Sequence, residues 1–137
     1  MLIRLRAIGL NRADLAIAAG HKHGSVGGPG AIPGLEGAGE VVEVGAEVPD
    51  HIRPGMRVMA GVGASYAEFA VADWGRVSSL PDANLSWEVA GTLPVALQTM
   101  HDAVVTHGLC GPGSSIMIQG ASSGVGLMGL QVARLMG

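Results

Sequence analysis

The chain has 137 residues, of which 48% are hydrophobic and only 14% charged, and its formal net charge is −3. An average soluble protein has roughly 25% charged residues, so this composition indicates surfaces that a partner subunit or further protein covers. With 8 basic against 11 acidic residues and no basic run, we expect no nucleic-acid partner. The single cysteine, Cys110, excludes an internal disulfide and a cysteine-based zinc cluster. The sequence has no signal-peptide pattern and no run of the ~20 apolar residues that span a bilayer, so we expect no membrane partner and a cytoplasmic location.

The first part of the chain predicts short strands around one helix. Residues 2–8 alternate partly and predict a strand. Residues 11–20 predict a helix with Asn11 as its N-cap and Gly20 as its C-terminal stop, and the Gly- and His-rich stretch 21–32 predicts a loop. Gly and Pro punctuation then predicts strands at 39–45, 57–60, 65–72 and 76–81. Together these elements indicate a small all-β barrel or sandwich up to about residue 82.

The rest of the chain predicts helices and one more strand. Ser86 is a suitable N-cap for a helix that Pro94 interrupts, and residues 96–107 are predicted to be helical again. The apolar run 116–118 predicts a buried parallel strand. A glycine-rich turn at 120–126 follows it, and an almost wholly apolar helix is predicted over 127–136.

A strand, a glycine-rich turn and a helix in that order open a dinucleotide-binding unit. Small residues let the backbone approach a pyrophosphate, and the free N–H groups and dipole of the helix start stabilise its negative charge. When the G-x-G-x-x-G pattern is placed with its first position at Ala121, only Gly126 falls on a glycine position. A plain structural connection is therefore the alternative to a nucleotide site.

Several strings in the chain resemble those of the medium-chain dehydrogenase/reductase superfamily. They are Gly9–Asp14, Pro33–Gly45, Pro54–Val58, Tyr66–Phe69 and Gly120–Gly126, which together span nearly the whole chain. The resemblance implies a mixed α+β and α/β fold in which a GroES-like β-barrel precedes the first strand and helix of a Rossmann domain. The implied boundaries are 1–85 for the GroES-like domain, 86–114 for a helical linker and 115–137 for the first βα unit.

Within the superfamily, the chain resembles the zinc-free quinone oxidoreductases. The positions that hold metal ligands in the zinc alcohol dehydrogenases match Asn11, Leu35 and Val95, which cannot form a tetrahedral zinc site. We therefore expect no bound metal and interpret His21 and His23 as surface residues. Short-chain reductases share the Gly-Ala-Ser-Ser-Gly string, but they carry it near the N-terminus and need a catalytic Tyr and Lys downstream, so the medium-chain interpretation is preferred.

The resemblance implies hydride transfer from NADPH or NADH to a quinone or an activated enone, with the cofactor carrying the reaction. It implies that Asn11 lies near the nicotinamide as a catalytic and cofactor-binding residue, and that Thr99 contacts the cofactor. Helix capping and plain helix packing are the respective alternatives. Asp14 and Glu36 also match family positions, with capping and buried hydrogen bonding as alternatives. The pyrophosphate contacts are expected from Ser122, Ser123, Gly124, Val125 and Gly126.

Other features bear on the substrate and on the extent of the chain. Tyr66 is interpreted as sheet packing, and the pocket tyrosine of some quinone reductases falls at Ala16, which leaves the substrate open. The residue that separates NAD from NADP is expected about 20 residues after the glycines, past the end of the sequence. We therefore interpret the chain as part of a longer reductase truncated at both ends; the alternative is a non-catalytic binding or structural protein of the same fold. Alone, it is expected to bind cofactor weakly, to have little activity and to self-associate as a homo-oligomer.

Overall fold

The computed structural model describes residues 1–80 and 84–137. These residues form two compact units, Met1–Pro94 and Val95–Gly137, and each unit is described by itself. Pro81, the last residue of the predicted strand 76–81, lies outside the described residues. Of the predicted site residues, Asn11 therefore belongs to the first unit, whereas Thr99 and the glycine-rich turn belong to the second.

A five-stranded antiparallel sheet forms the centre of the first unit. The strands of the chain are β1 (Leu2–Ile8), β2 (Lys22–His23), β3 (Val26–Gly27), β4 (Glu36–Glu43), β5 (Arg57–Gly61), β6 (Phe69–Val71) and β7 (Val77–Ser79). The sheet has the spatial order β6-β1-β4-β5-β7, and β2 and β3 pair separately as a small hairpin. The helices are α1 (Arg12–Ala18), α2 (Trp87–Gly91), α3 (Pro94–His101) and α4 (Gly124–Met136).

The core of the first unit lies on one face of this sheet. It is built from small and β-branched side chains, among them Ile3, Val41, Val58 and Ala60, each no more than 2% exposed. Successive strand residues point to opposite faces, so Val58 and Ala60 of β5 both reach this core. Burying each valine or isoleucine stabilises the fold by about 1.5–3 kcal/mol, and this burial holds β1 and β4 together in the sheet.

Strand β4 begins three residues before the predicted start at residue 39. Glu36, Gly37 and Ala38 pair with Gly61, Ala60 and Met59 of β5. The sequence suggested that the glycines of this segment mark the strand boundaries, but Gly39 lies inside β4. The residue there is glycine because a Cβ would come 2.8 Å from the Arg4 carbonyl carbon. Close approach of two backbones therefore explains this glycine.

The predicted strand 65–72 is wrong over its first half, because only Phe69–Val71 forms β6. Ala64 has φ +57°, and the Tyr66 N–H donates to the Pro33 carbonyl at 3.0 Å instead of joining a regular ladder. The alternating pattern of this segment thus includes a turn. The predicted loop 21–32 differs in the opposite sense, since it contains the hairpin of β2 and β3.

The second unit is helical apart from its loops. Helix α3 begins at Pro94, a position that needs no backbone N–H, and continues into a π-helical segment, Asp102–His107. Helix α4 packs against α3 and against Ile118, because a Cβ added at Gly129 would meet Met100 and lie 3.2 Å from Ile118 Cδ1. None of the described helices combines the length and the apolar character that crossing a membrane requires.

The predicted strand at 116–118 is not formed. Within residues 95–137 no strand is present to pair with this stretch, and a strand exists only through hydrogen bonds to a neighbour. Met117 is 92% exposed, so the stretch is not buried as predicted either. The apolar run nevertheless contributes Ile118 to the contact with α4.

Candidate functional site

The start of α1 carries a cluster of polar side chains inside the first unit. Asn11, the residue before the helix, is half-buried, whereas Asp14 and Glu36 are only 5% and 3% exposed. Asn11 Nδ2 donates to Glu36 Oε1 at 2.7 Å, and the Asn11 backbone N–H donates to Asp14 Oδ2 at 2.8 Å. The predicted N-cap is thus confirmed, and its side chain also bonds to a carboxyl group that lies 25 residues further along the chain.

Asp14 joins three parts of the first unit. Besides the Asn11 N–H, it accepts the Gly34 N–H at 3.2 Å and the Tyr66 hydroxyl at 3.1 Å. A buried carboxylate needs such donors, because burying it without them costs several kcal/mol. Asp14 therefore fixes the start of α1 against the turn before β4 and against the segment before β6.

Tyr66 belongs to this cluster, which its interpretation as sheet packing missed. Burial raises the pKa of Tyr66, and the hydrogen bond and charge of Asp14 raise it further. The ring remains 41% exposed, and it lines an open pocket of about 320 Å³ together with Ala7 and Ile8 of β1. Alternation in the sequence could not reveal the bond to Asp14, because the two residues are 52 positions apart.

The glycine-rich turn in the second unit leads directly into α4. Ser123 is the N-cap: its hydroxyl accepts the Gly126 N–H at 3.0 Å and donates to the Gly120 carbonyl at 2.8 Å. The Leu127 N–H donates to the Ser123 carbonyl at 2.8 Å. In the described part of the chain, the N–H groups of Gly124 and Val125 have no such acceptor. They are the donors that the helix start leaves available.

The glycines of the turn have different structural roles. Gly120 has φ +73°, a conformation that side chains disfavour. A Cβ at Gly126 would collide with the Gly120 carbonyl and lie 2.7 Å from Ala121 Cα, whereas a Cβ at Gly124 would meet no atom within 4 Å. The local backbone therefore requires glycine at 126 but leaves open space at 124.

The turn suits an anionic group such as a pyrophosphate. Two free N–H groups lie at the positive end of the dipole of a 13-residue helix, and that helix has no acidic residue in its first turn. The open space at Gly124 allows close approach, and the exposed Ser122 lies two residues before it in the sequence. The residues predicted for this role are thus gathered at one helix start.

The other predicted residues lie elsewhere. Thr99 is exposed on α3, in the same unit as the turn, and Asn11 lies in the first unit. No group of three or more His, Cys, Asp or Glu side chains that could hold a metal occurs among residues 1–80 and 84–137. His21 and His23 are exposed at the β2–β3 hairpin.

Comparison with protein-family models matches residues 1–82 to the alcohol dehydrogenase GroES-like domain. Among curated proteins, polyketide synthase GfsB of Streptomyces halstedii is 36% identical over 135 residues, which are 98% of this chain and 2% of that synthase. The chain therefore corresponds to a small part of that relative.

Solved structures match both units. An alcohol dehydrogenase superfamily protein from Novosphingobium aromaticivorans has a TM-score of 0.88 and 32% identity, covering 99% of this chain and 42% of that one. Mycobacterial Rv1454c in complex with NADPH has a TM-score of 0.78 and 28% identity over 100% of this chain and 42% of its own. The CurK enoyl reductase has a TM-score of 0.82 and 26% identity, over 99% and 43%. The chain thus spans less than half the length of these proteins.

Proposed function

The chain belongs to the family of alcohol dehydrogenase GroES-like domains within the medium-chain dehydrogenase/reductase superfamily. From this premise we propose that it forms part of an NAD(P)H-dependent reductase. The proposed reaction is hydride transfer from the nicotinamide to a quinone or an activated enone. The cofactor supplies the hydride, and the protein binds, orients and shields the reactants. Because the chain spans under half of its solved relatives, this activity is proposed for a protein in which the remaining nucleotide-binding elements are also present.

The helix start at Ser122–Gly126 is the observation that carries the proposal. Gly124 and Val125 offer two unpaired N–H groups, and the space beside Gly124 is open. Backbone N–H groups at a helix start hold a pyrophosphate without a positively charged side chain. NADPH is the favoured nicotinamide cofactor, since the mycobacterial relative is in complex with it.

An enone and a quinone both fit the proposal as substrates. The curated relative GfsB is a polyketide synthase and CurK is an enoyl reductase, whereas two other solved relatives are quinone oxidoreductases. Both substrates are conjugated carbonyl compounds that take up one hydride and one proton. Among the described residues, the open pocket beside Tyr66 is lined by the apolar Leu5, Ala7 and Ile8 and also by the charged Arg6 and Glu68, so its lining does not distinguish the two substrates.

Asn11 is proposed to contact the nicotinamide and Thr99 to contact the cofactor from α3. Asn11 suits this role because its side chain is half-buried and held by Glu36. We also propose that no zinc takes part. Asn11 Nδ2 is engaged as a hydrogen-bond donor to Glu36, and neither Leu35 nor Val95 can ligate a metal.

We also propose that the chain self-associates as a homo-oligomer and that it is located in the cytoplasm. Leu127 and Leu130 lie on α4 with 51% and 48% of their surfaces exposed, and apolar side chains on one helix face favour burial against a partner. A homo-oligomer would cover them. The proposed substrate is a small molecule.

The experiment compares this chain with an extension that completes the nucleotide-binding domain. NADPH carrying deuterium at the transferable position is supplied with an enoyl thioester, and the product is analysed by mass spectrometry. With a quinone, whose quinol product does not retain the deuterium, oxidation of NADPH is followed instead. The extended protein should yield saturated thioester with one carbon-bound deuterium or oxidise NADPH in the presence of quinone, and this chain should do little of either. Equal rates for both proteins would refute the requirement for the additional elements. Absence of both deuterated thioester and quinone-dependent NADPH oxidation from the extended protein would refute the reductase proposal.

A further inference from the structure

The side chain of Asn11 lies between a buried carboxyl group and the start of a helix. Its Nδ2 donates to Glu36 Oε1 at 2.7 Å. Its side-chain oxygen faces the Asp14 backbone N–H in a capping-box arrangement, and that N–H also donates to the Asn11 backbone carbonyl at 2.9 Å. Both ends of the amide therefore face a group of the complementary kind.

These contacts permit one orientation of the amide. An amide has two donors on nitrogen and an acceptor oxygen. A flip by 180° would turn the oxygen toward Glu36 Oε1, another acceptor, and the NH₂ group toward the N–H groups of the helix start. The flip would remove the hydrogen bond to the buried Glu36 carboxyl group and set donors against donors at the helix start, which is costly. The chemistry of the two neighbours therefore selects the observed orientation.

Gly9 makes room for the carboxyl group that holds this amide. A Cβ at residue 9 would lie 2.6 Å from Glu36 Cδ and 2.7 Å from Cγ, distances that atoms do not tolerate. The Gly9 N–H also donates to the Glu36 backbone carbonyl at 3.4 Å. The Glu36 side chain is 3% exposed in this position, so it has little freedom to move away from Asn11.

We propose that Glu36, in the space left by Gly9, is a positioning residue that fixes the amide of Asn11 for contact with the nicotinamide cofactor. The contact between Asn11 and the cofactor rests on the proposed function, whereas the fixed orientation of the amide does not. One hydrogen of Nδ2 is used by Glu36, and the second hydrogen remains for a ligand. Glu36 itself acts through Asn11 and touches neither cofactor nor substrate in this role.

The orientation is tested by NMR of the side-chain amide groups in the ¹⁵N-labelled chain. Asn11 and Asn84 are the asparagines of the sequence, and Asn11→Ala identifies the Asn11 signals by their loss. In the wild-type chain, the Asn11 NH₂ group should be more ordered and exchange hydrogen at least about tenfold more slowly than that of the exposed Gln131, as expected for a bond to a charged group. An Asn11 amide as mobile as that of Gln131 would overturn the proposal without any variant of Glu36.

Two substitutions of Glu36 separate the hydrogen bond from packing. Glu36→Gln keeps an acceptor oxygen and should preserve the order of the Asn11 amide. Glu36→Met keeps the length of the side chain without an acceptor and should release the amide, with exchange about tenfold faster. Gly9→Ala tests the same hydrogen bond independently. The added methyl group displaces the Glu36 carboxyl group and should make the Asn11 side-chain amide less ordered and faster in hydrogen exchange. An unchanged Asn11 amide in folded Glu36→Met or Gly9→Ala protein would contradict the proposal.

NADPH titration of the extended protein tests the proposed contact with the cofactor. Glu36→Met should weaken binding when Asn11 is present and have no further effect in the Asn11→Ala background, because Glu36 acts through that amide. Equal weakening in both backgrounds would indicate a general structural effect and refute the positioning role toward the cofactor. If the wild-type extended protein gives no response to NADPH at millimolar concentration, the proposed function fails, whereas the exchange measurements on the chain still decide whether Glu36 orients Asn11.

Discussion

Replacing the glycines of the turn by alanine one at a time should separate a structural glycine from one that leaves space for a ligand. In Gly126→Ala, the new Cβ would lie 2.7 Å from Ala121 Cα. An ordinary contact begins near 3.4 Å, so the backbone must move by at least about 0.7 Å at the helix start, and the Gly120 carbonyl oxygen, which is nearer still, must move further. Such overpacking costs about 1–3 kcal/mol. In Gly124→Ala, the methyl group enters open space, and the substitution should stabilise α4 by up to ~1 kcal/mol through the unfolded state.

Native-state hydrogen exchange of the α4 amides measures both effects in the unit where they arise. Gly126→Ala should lower protection by roughly five- to 150-fold, whereas Gly124→Ala should leave protection equal or higher. The amides of β1 and β4 in the first unit serve as the internal control. Full protection of α4 in Gly126→Ala would show that the tight contact between residues 120 and 126 is not present, and the described turn would be wrong.

Three other predictions concern strain, ionisation and metal content. Leu109 is 83% exposed with φ +49°, so Leu109→Gly should stabilise the second unit by about 0.5–1 kcal/mol in denaturant titration, and a loss of stability would contradict the strain argument. Tyr66 is the single tyrosine, so phenolate absorbance should titrate above the ordinary 10.0 and return toward it in Asp14→Asn; a wild-type midpoint at or below 10.0 would contradict the bond to Asp14. Because this pKa is raised in the folded chain, the stability it contributes is complete below pH 10 and is lost as pH rises through the folded value. Elemental analysis of tag-free protein should detect no stoichiometric zinc, and a full equivalent lost in Asn11→Ala would disprove the zinc-free assignment.

The sequence predicted the elements whose signals are local. Asn11 and Ser86 cap α1 and α2 as expected, and the glycine-rich turn does open α4. These signals depend on side chains within one helical turn of each other. The predicted strand over residues 2–8 has the same bounds as β1, because the alternation of apolar and polar residues is also a local pattern.

Apart from the short β2–β3 hairpin and the turn before β6, the failures involve partners distant in the sequence. Gly39 looked like a strand boundary because its reason, the backbone of Arg4, lies in another strand. The run 116–118 has the composition of a buried strand, yet no neighbouring strand exists for it within residues 95–137. The bonds of Asp14 to Tyr66 and of Asn11 to Glu36 join residues 52 and 25 positions apart. Composition and spacing do not reveal which distant residues form such pairs. The family resemblance indicated that Asn11, Asp14 and Glu36 match family positions, but it did not indicate the hydrogen bonds that these residues form.

The Gly124→Val substitution tests the nucleotide role of the turn with little interference from folding. Gly124 has neither a positive φ nor an atom within 4 Å of an added Cβ, so strain at this position is not expected. Valine would instead occupy the space through which a pyrophosphate approaches the N–H groups. Cofactor binding should weaken by about 2 kcal/mol or more, roughly thirtyfold.

The central claim, that the start of α4 binds the pyrophosphate of a nicotinamide cofactor, is tested most directly by NADPH titration of the ¹⁵N-labelled protein extended to complete the nucleotide-binding domain. The account predicts saturable shifts that are largest at the backbone amides of Gly124 and Val125, and roughly thirtyfold weaker binding in folded Gly124→Val. Wild-type affinity in that variant, or a response to NADPH that leaves the amides of Ser122–Gly126 unmoved, would contradict it.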